Sequence, residues 1–295
     1  PQYVYFSGNP HADISGNYKE PVAPGPSGQG ISKANIYQTS SGHANNLEIN
    51  TSRGTTVEFW MKKDGWADTE NVKVEYILNV VASGSTGPDY GNFSISSYGT
   101  AAGKGKLFLI AQSGTSDIIS FTHDTGLTDL ADSSWHHYAI TAKTSGSNTI
   151  SDLYVDGTHA STQTDTGDTI GVIDKKMVAT IGALAGPFGT SLQYADRGWG
   201  NIVSASIDEF RYWKTERDAQ QVGRHYRDQV GGGTNTDSIK YDKTHNPVDL
   251  GVYFKFNEGI TGDNTKDSII LDYSGRISNG TFVNYVSGAS RDTGS

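Results

Sequence analysis

Cysteine is absent from this 295-residue chain, which excludes disulfide bonds and thiolate-held metal ions at once. Basic residues are scarce as well. Only 23 Lys and Arg stand against 32 Asp and Glu, for a formal net charge of -9. Duplex nucleic acid would meet repulsion over most of such a surface, and no basic stripe interleaved with aromatics relieves it, so no nucleic-acid binding is expected. No apolar run approaches the roughly 20 residues that a membrane-spanning helix requires, so no membrane insertion is expected. The chain opens at Pro1 without a methionine and without the pattern of a secretory leader, and is expected to be a fragment or a processed product.

What is abundant points to strands. Aromatics reach 11% with 16 tyrosines, glycines number 36, and aliphatic content is low. That mixture favours many short strands joined by turns, and the length suits one large β-sandwich or a sandwich with additions. Without disulfides, such a domain depends on core area, a metal or oligomerisation.

The strand signals run in series. "YVYFSG" is closed by Gly8, Asn9 and Pro10. From residue 15 to about 45 the chain reads as a loop insertion, with Pro21, Pro24 and Pro26 close together. "TTVEFWMK" then sets Val57, Phe59 and Met61 against Glu58, Trp60 and Lys62, a period of two. "VEYILNVVA", "NFSISSY", "KGKLFLIAQ", "DIISFTHD" and "WHHYAITA" follow at short spacing. In "SDLYVDGTHAS", Asp156 and Gly157 supply the positive φ values of a two-residue hairpin turn. "MVATIGAL" and "SASIDEFRYW" complete the set. One short helix is expected in "TERDAQQVGRHY", with Thr215 as N-cap and Asp218 three residues on. "GGGTNTDS" opens a linker over 231–250.

Five segments in this order, "VEFWMK", "WHHYAIT", "LYVDG", "TIGAL" and "IDEFRYWKTERDAQQV", resemble the laminin-G-like, concanavalin A-like jelly rolls, the superfamily that includes pentraxins. The resemblance covers about residues 55 to 226. It implies an all-β antiparallel sandwich over 1–230 with one short C-terminal helix and a long N-terminal loop. Modules of this kind begin with strands like "YFKFNEG" and "DYSGRISNGT", which here stand late in the chain, while "YVYFSGN" stands at its start. Residues 251–295 are therefore expected either to complete this sandwich as a permutation or to open a next module. Unpaired sheet edges are costly and isolated strand pairs marginal, which favours completion. The late wording also resembles segments embedded in large virion proteins of marine tailed bacteriophages. It implies a virion or extracellular surface location, other virion subunits as partners and a homo-oligomer as one form of display.

Catalytic signatures are sparse. A retaining glycosidase needs two carboxyls roughly 5 Å apart, yet Asp208 and Glu209 are adjacent, and strand alternation is expected to send them to opposite faces. Tyr253-Phe254-Lys255 echoes an alginate-lyase-type strand, but the arginine-bearing and Gln-x-His strands such enzymes require are missing. Neither a Gly-x-Ser-x-Gly elbow nor a phosphate loop occurs. His136 and His137 are neighbours on a strand and cannot share one ion. Trp60, Trp135 and Trp213 are expected in the core. Trp66 and Trp199 lie in polar, glycine-rich loops, and an exposed ring there would stack on a sugar or a partner. The resemblance further implies a structural Ca2+ ion held by Asp208, Asp272 and Asn279, with Glu258 as an outside candidate.

The expected function is a non-catalytic structural or adhesion module, no enzyme, that meets a glycan or host-surface polysaccharide. The alternative is a polysaccharide-cleaving jelly roll, a lyase or a glycoside hydrolase.

Overall fold

The computed structural model describes residues 3–6, 46–66, 74–82, 91–99, 102–114, 118–173, 177–183, 202–230, 249–274, 279–282 and 291–292. Trp199, the 15–45 insertion and most of the 231–250 linker lie outside the described residues.

The described strands are β1 (Tyr3–Phe6), β2 (Thr55–Lys63), β3 (Val74–Ala82), β4 (Gly91–Tyr98), β5 (Lys106–Ser113), β6 (Ile119–Asp124), β7 (Trp135–Ser145), β8 (Asn148–Val155), β9 (Thr158–Thr166), β10 (Met177–Ile181), β11 (Ala205–Trp213), β12 (Leu250–Phe254), β13 (Ile269–Ile270), β14 (Gly280–Thr281) and β15 (Arg291–Asp292). Two helices accompany them, α1 (Ala219–His225) and the single turn α2 (Asn264–Asp267). Among the described residues, one sheet runs β15-β1-β11-β2-β7-β8-β9 with β12 also paired to β11, and the facing sheet runs β10-β3-β4-β5-β6. Every ladder is antiparallel. The fold is thus an all-β jelly-roll sandwich.

Strand β11 organises the large sheet. One of its edges pairs with β2 on both sides of a break between Asp208 and Arg211, while the other is divided: Ala205, Ser206 and Ile207 pair with β1, and Phe210 to Trp213 pair with β12. The late strand therefore fills an edge that would otherwise expose unpaired N–H and C=O groups.

Alternation fills the space between the sheets. Val57, Phe59 and Met61 from β2, Tyr138 and Ile140 from β7, Tyr212 from β11 and Phe254 from β12 meet Leu78, Phe93, Ile95 and Leu109 in one buried cluster. Each such side chain contributes roughly 1.5–3 kcal/mol on leaving water.

Two polar ties cross that apolar layer. Lys63 on β2 reaches Glu75 on β3 at 2.6 Å, both side chains almost fully buried, and its ammonium also donates to the Val203 carbonyl at 2.7 Å. Glu75 in turn accepts the Val203 N–H at 3.0 Å. Elsewhere His123 on β6 bridges Ser151 on β8 (2.8 Å) and Ser161 on β9 (3.0 Å). The β8–β9 hairpin turns at Asp156 and Gly157, with φ of 50° and 76°, as the Asp-Gly pair requires.

The helix starts later than expected. Thr56 Oγ1 donates to the Thr215 carbonyl at 2.9 Å and accepts the Arg217 N–H at 2.9 Å, which fastens 215–217 to β2 in a non-helical path. Asp218 is the N-cap instead: its carboxylate accepts the Gln221 N–H, and Gln221 Oε1 accepts the Asp218 N–H. The capping box is real but displaced by three residues.

Removing one partner of a buried ion pair strands the other charge, at a cost of about 3–5 kcal/mol. Lys63→Met and Glu75→Leu are each expected to destabilise by that order in urea unfolding, and the double variant that combines them by clearly less than the sum. Additive losses would show that the two groups do not act as a pair.

Candidate functional site

The helix-bearing outer face of the large sheet carries an unusual concentration of charge. Strand alternation turns Glu58 of β2, His137 of β7, Arg211 of β11 and Tyr253 of β12 outward, and α1 with its flanking residues closes over them. Arg217 Nη1 donates to Glu58 Oε1 at 2.6 Å, and Arg211 Nη1 donates to Glu58 Oε2 at 3.4 Å. Burial alone would raise the Glu58 pKa, but the two guanidinium groups reverse this and hold it below the ordinary carboxylate value. Arg217 also lies over the Trp213 ring at 4.5 Å.

A bulge in β11 reshapes the charge pattern. The register against β2 slips between Asp208 and Arg211, and Glu209 takes φ of 52°. Glu209 consequently turns toward the helix-bearing face, where it accepts from Arg211 Nη2 (3.1 Å), from Gln229 (2.8 Å) and from the Tyr253 hydroxyl. The expectation that Asp208 and Glu209 point to opposite faces is thereby overturned: an extra residue cancels the two-residue period. The Asp208 carboxylate accepts the Glu209 N–H at 2.9 Å. Burial, then the nearby Glu209 charge, push its pKa up to about 7.

Beside this network lies a row of rings. In the ladders Asp208 faces Trp60, and Trp60 faces His137. Trp60 stacks on Tyr226 with centroids 6.0 Å apart and an interplanar angle of 26°, and its indole N–H donates to the Tyr226 carbonyl at 3.3 Å. Tyr226 is the C-cap of α1. Its ring passes so close to Gly157 that a Cβ there would lie 2.6 Å from Cδ1. His137 forms the floor, touching both rings, and among the described residues neither of its ring nitrogens has a hydrogen-bond partner. Lys62 and Trp135, directly opposite one another, continue the same face. Trp60, Trp135 and Tyr226 are half-buried. Of the three tryptophans expected in the core, only Trp213 is there, at 1% exposure. The signal was available, since the alternation of β2 already places Trp60 with Glu58 and Lys62.

The described residues among those expected from sequence, Trp66, Asp208, Asp272, Asn279 and Glu258, serve separate local contacts. Trp66 is half-buried, donates to Asp129 at 2.8 Å, lies beneath the Lys63 ammonium at 4.4 Å and packs against the core. Both oxygens of Asp272 are engaged, by the N–H groups of Tyr253 and Ser274 and by the Ser274 hydroxyl. Asn279 Oδ1 accepts the Asp272 N–H, and Glu258 accepts that of Leu271. Asp208 pairs with Trp60, whereas Asp272 bonds the backbone of Tyr253, which lies beside Arg211 beyond the bulge. Asp272 and Asn279 thus meet in one turn, while Asp208 stands apart from them beside Trp60. Among the described residues, no group of three or more His, Asp or Glu could hold a metal.

Comparison with known proteins bears on the fold. The family model described as the concanavalin A-like lectin/glucanases superfamily matches residues 35–223. No curated protein matches the sequence. Among solved structures, a heptameric SAP-like pentraxin from Limulus polyphemus is 18% identical, with 60% of this chain and 71% of that one covered at a TM-score of 0.36. A putative carbohydrate binding protein from Bacteroides ovatus is 18% identical, covering 79% of this chain and 55% of that one at 0.43. The tailspike protein 2 enzymatically active domain of bacteriophage CBA120 is 13% identical, covering 72% and 28% at 0.41. The chain thus spans about half of the second protein and about a quarter of the third.

Buried histidines give the face and the sandwich a signature in pH. Burial lowers the pKa of both His123 and His137 to about 4. The unfolded chain takes up these protons below about pH 6.5, while the folded chain refuses them until about 4. Their contribution is whole above 6.5 and is lost as pH falls across that window, on the order of 3 kcal/mol each. His136 runs the other way: burial opposes its charge, but Asp156 at 2.7 Å and Asp132 at 3.0 Å raise its pKa, so its contribution is present in acid and lost as pH rises through the raised value. Unfolding free energy measured from pH 7 to 4 is expected to fall steeply, and less steeply in His123→Gln, His137→Gln. A flat wild-type profile would contradict the assignment.

Proposed function

The chain belongs to the concanavalin A-like lectin/glucanases superfamily, and from that premise we propose that it is a non-catalytic module that binds a glycan on the helix-bearing face of its large sheet. One observation carries the reading: Trp60, Tyr226 and Trp135 stand half-buried on one surface beside Asp208 and Lys62. Aromatic faces held rigidly from below, with polar groups at their edges, suit the apolar face and the hydroxyls of a sugar ring. The ion network gives that rigidity, since α1 and Tyr226 cannot shift without separating Arg217 from Glu58. Contact with a host-surface polysaccharide or with neighbouring subunits of a virion or extracellular protein, repeated through oligomeric display, would add avidity to a weak single site. The late-chain resemblance to virion proteins supports that setting.

Asp208 also gives the enzyme alternative its one specific support, because a carboxyl held near pH 7 beside a second carboxyl is a feature of general acids. Glu209, however, is engaged by Arg211, Tyr253 and Gln229, and a nucleophile or base must be free to move onto substrate.

Affinity electrophoresis against a panel of marine and host polysaccharides tests the reading. Binding by the wild-type chain is expected to drop at least tenfold in Trp60→Ala and in Trp135→Ala, with thermal unfolding showing that both variants remain folded. Undiminished binding in both would overturn the site. Release of reducing ends or unsaturated products, abolished by Asp208→Asn, would replace the binding module with an enzyme.

A further inference from the structure

Resting on the reading of the Trp60 face as a glycan site, we infer that its ligand is an acidic polysaccharide, one bearing carboxylate or sulfate groups, and that Arg227 selects it. Arg227 follows the C-cap residue of α1 and is exposed. Its guanidinium carbon stands 5.2 Å from the centre of the Tyr226 ring, the ring that stacks on Trp60. Among the described residues no carboxylate lies within ion-pair distance of it. In a chain with a net charge of -9, an exposed arginine beside an aromatic pair with no described carboxylate in reach is unexpected.

The acids around it are committed elsewhere. Glu58 is held by Arg217 and Arg211, and Glu209 by Arg211, Gln229 and Tyr253. Asp228 turns to His225 at 2.9 Å, and Asp132 and Asp156 both turn to His136. Asp208 shares the row with Trp60, but burial and Glu209 keep its pKa up at about 7, so it opposes an anion with less than a full charge. Lys62, two residues from Trp60 on the same face and so about 7 Å along the strand, has only a loose contact with Asp64 at 3.7 Å. A guanidinium presents a planar fork that matches carboxylate and sulfate oxygens. A uronate or sulfated sugar offers both needed features, a ring face for Trp60 and Tyr226 and an anionic substituent at its edge for Arg227. A neutral sugar leaves the arginine in water and gains nothing from it. Repulsion from the rest of the surface is screened beyond about 8 Å at physiological salt, so the local contact decides.

The test uses the full chain and two matched pairs of polymers at 0.15 M salt: polygalacturonate against its methyl ester, and dextran sulfate against dextran. The first pair isolates carboxylate and the second sulfate. The acidic member of at least one pair is expected to bind about tenfold more tightly or better, and Arg227→Ala to erase that preference. Arg224→Ala, an exposed arginine on α1, is expected to leave it intact. Binding that depends on Trp60 but ignores esterification, or that survives Arg227→Ala, would overturn the selectivity while leaving the glycan site standing. Equal loss in Arg224→Ala would reduce it to diffuse attraction and overturn it as well. Acidic binding unchanged in Trp60→Ala, or no binding to any polymer, would overturn the site and the selectivity together.

Discussion

The contact between Glu58 and its two arginines sets most of what lies on the outer face of the large sheet. A carboxylate with 0% exposure survives only if its lost hydration is replaced, and Arg217 and Arg211 replace it from two directions. Arg217 comes from the segment that leads into α1, and Arg211 from the strand before it. The arrangement therefore fixes where β11 ends, how the chain leaves it, and where the helix lies. The placement of Tyr226 against Trp60 follows from that chain of constraints.

The same network explains why this face differs from the interior it backs onto. Between the sheets, apolar side chains pack, and among the described residues Lys63–Glu75 and the His123 bridge cross the layer. Outside the large sheet, charge and aromatic rings are interleaved, and His137 is kept neutral by burial beside a carboxylate kept ionised by arginine. Buried polar groups of this density are costly for stability. They are compatible with a surface whose rings must hold one geometry when a ligand arrives.

Much of the fold could be read from sequence because two-residue alternation is a direct record of which side faces the core. Val57, Phe59 and Met61 against Glu58, Trp60 and Lys62 is such a record, and so is the Asp156-Gly157 turn. The site was less legible for reasons that can be named. The bulge at Asp208–Glu209 carries no glycine to announce it, so the alternation rule gave the wrong face for Glu209. Thr215 is a good N-cap by residue type, yet Thr56 of β2 holds its carbonyl and the Arg217 N–H in a non-helical path, so the helix starts later. That is a tertiary bond which no local pattern contains. Residue type alone places Trp60 and Trp135 in the core, whereas both are half-buried and the alternation of β2 sets Trp60 with Glu58 and Lys62. Asp272 and Asn279 looked like ligand oxygens, but their hydrogen bonds close the turn after β13.

The glycan contact proposed for the helix-bearing face, at Trp60 and Trp135, can be observed directly. With five tryptophans in the chain, the indole N–H signals in a nitrogen–proton correlation spectrum give a direct map during titration with short oligogalacturonates. The Trp60 and Trp135 signals are expected to shift progressively with ligand while those of Trp66 and Trp213 stay in place. Shifts confined to Trp66, Trp199 or Trp213 would contradict it.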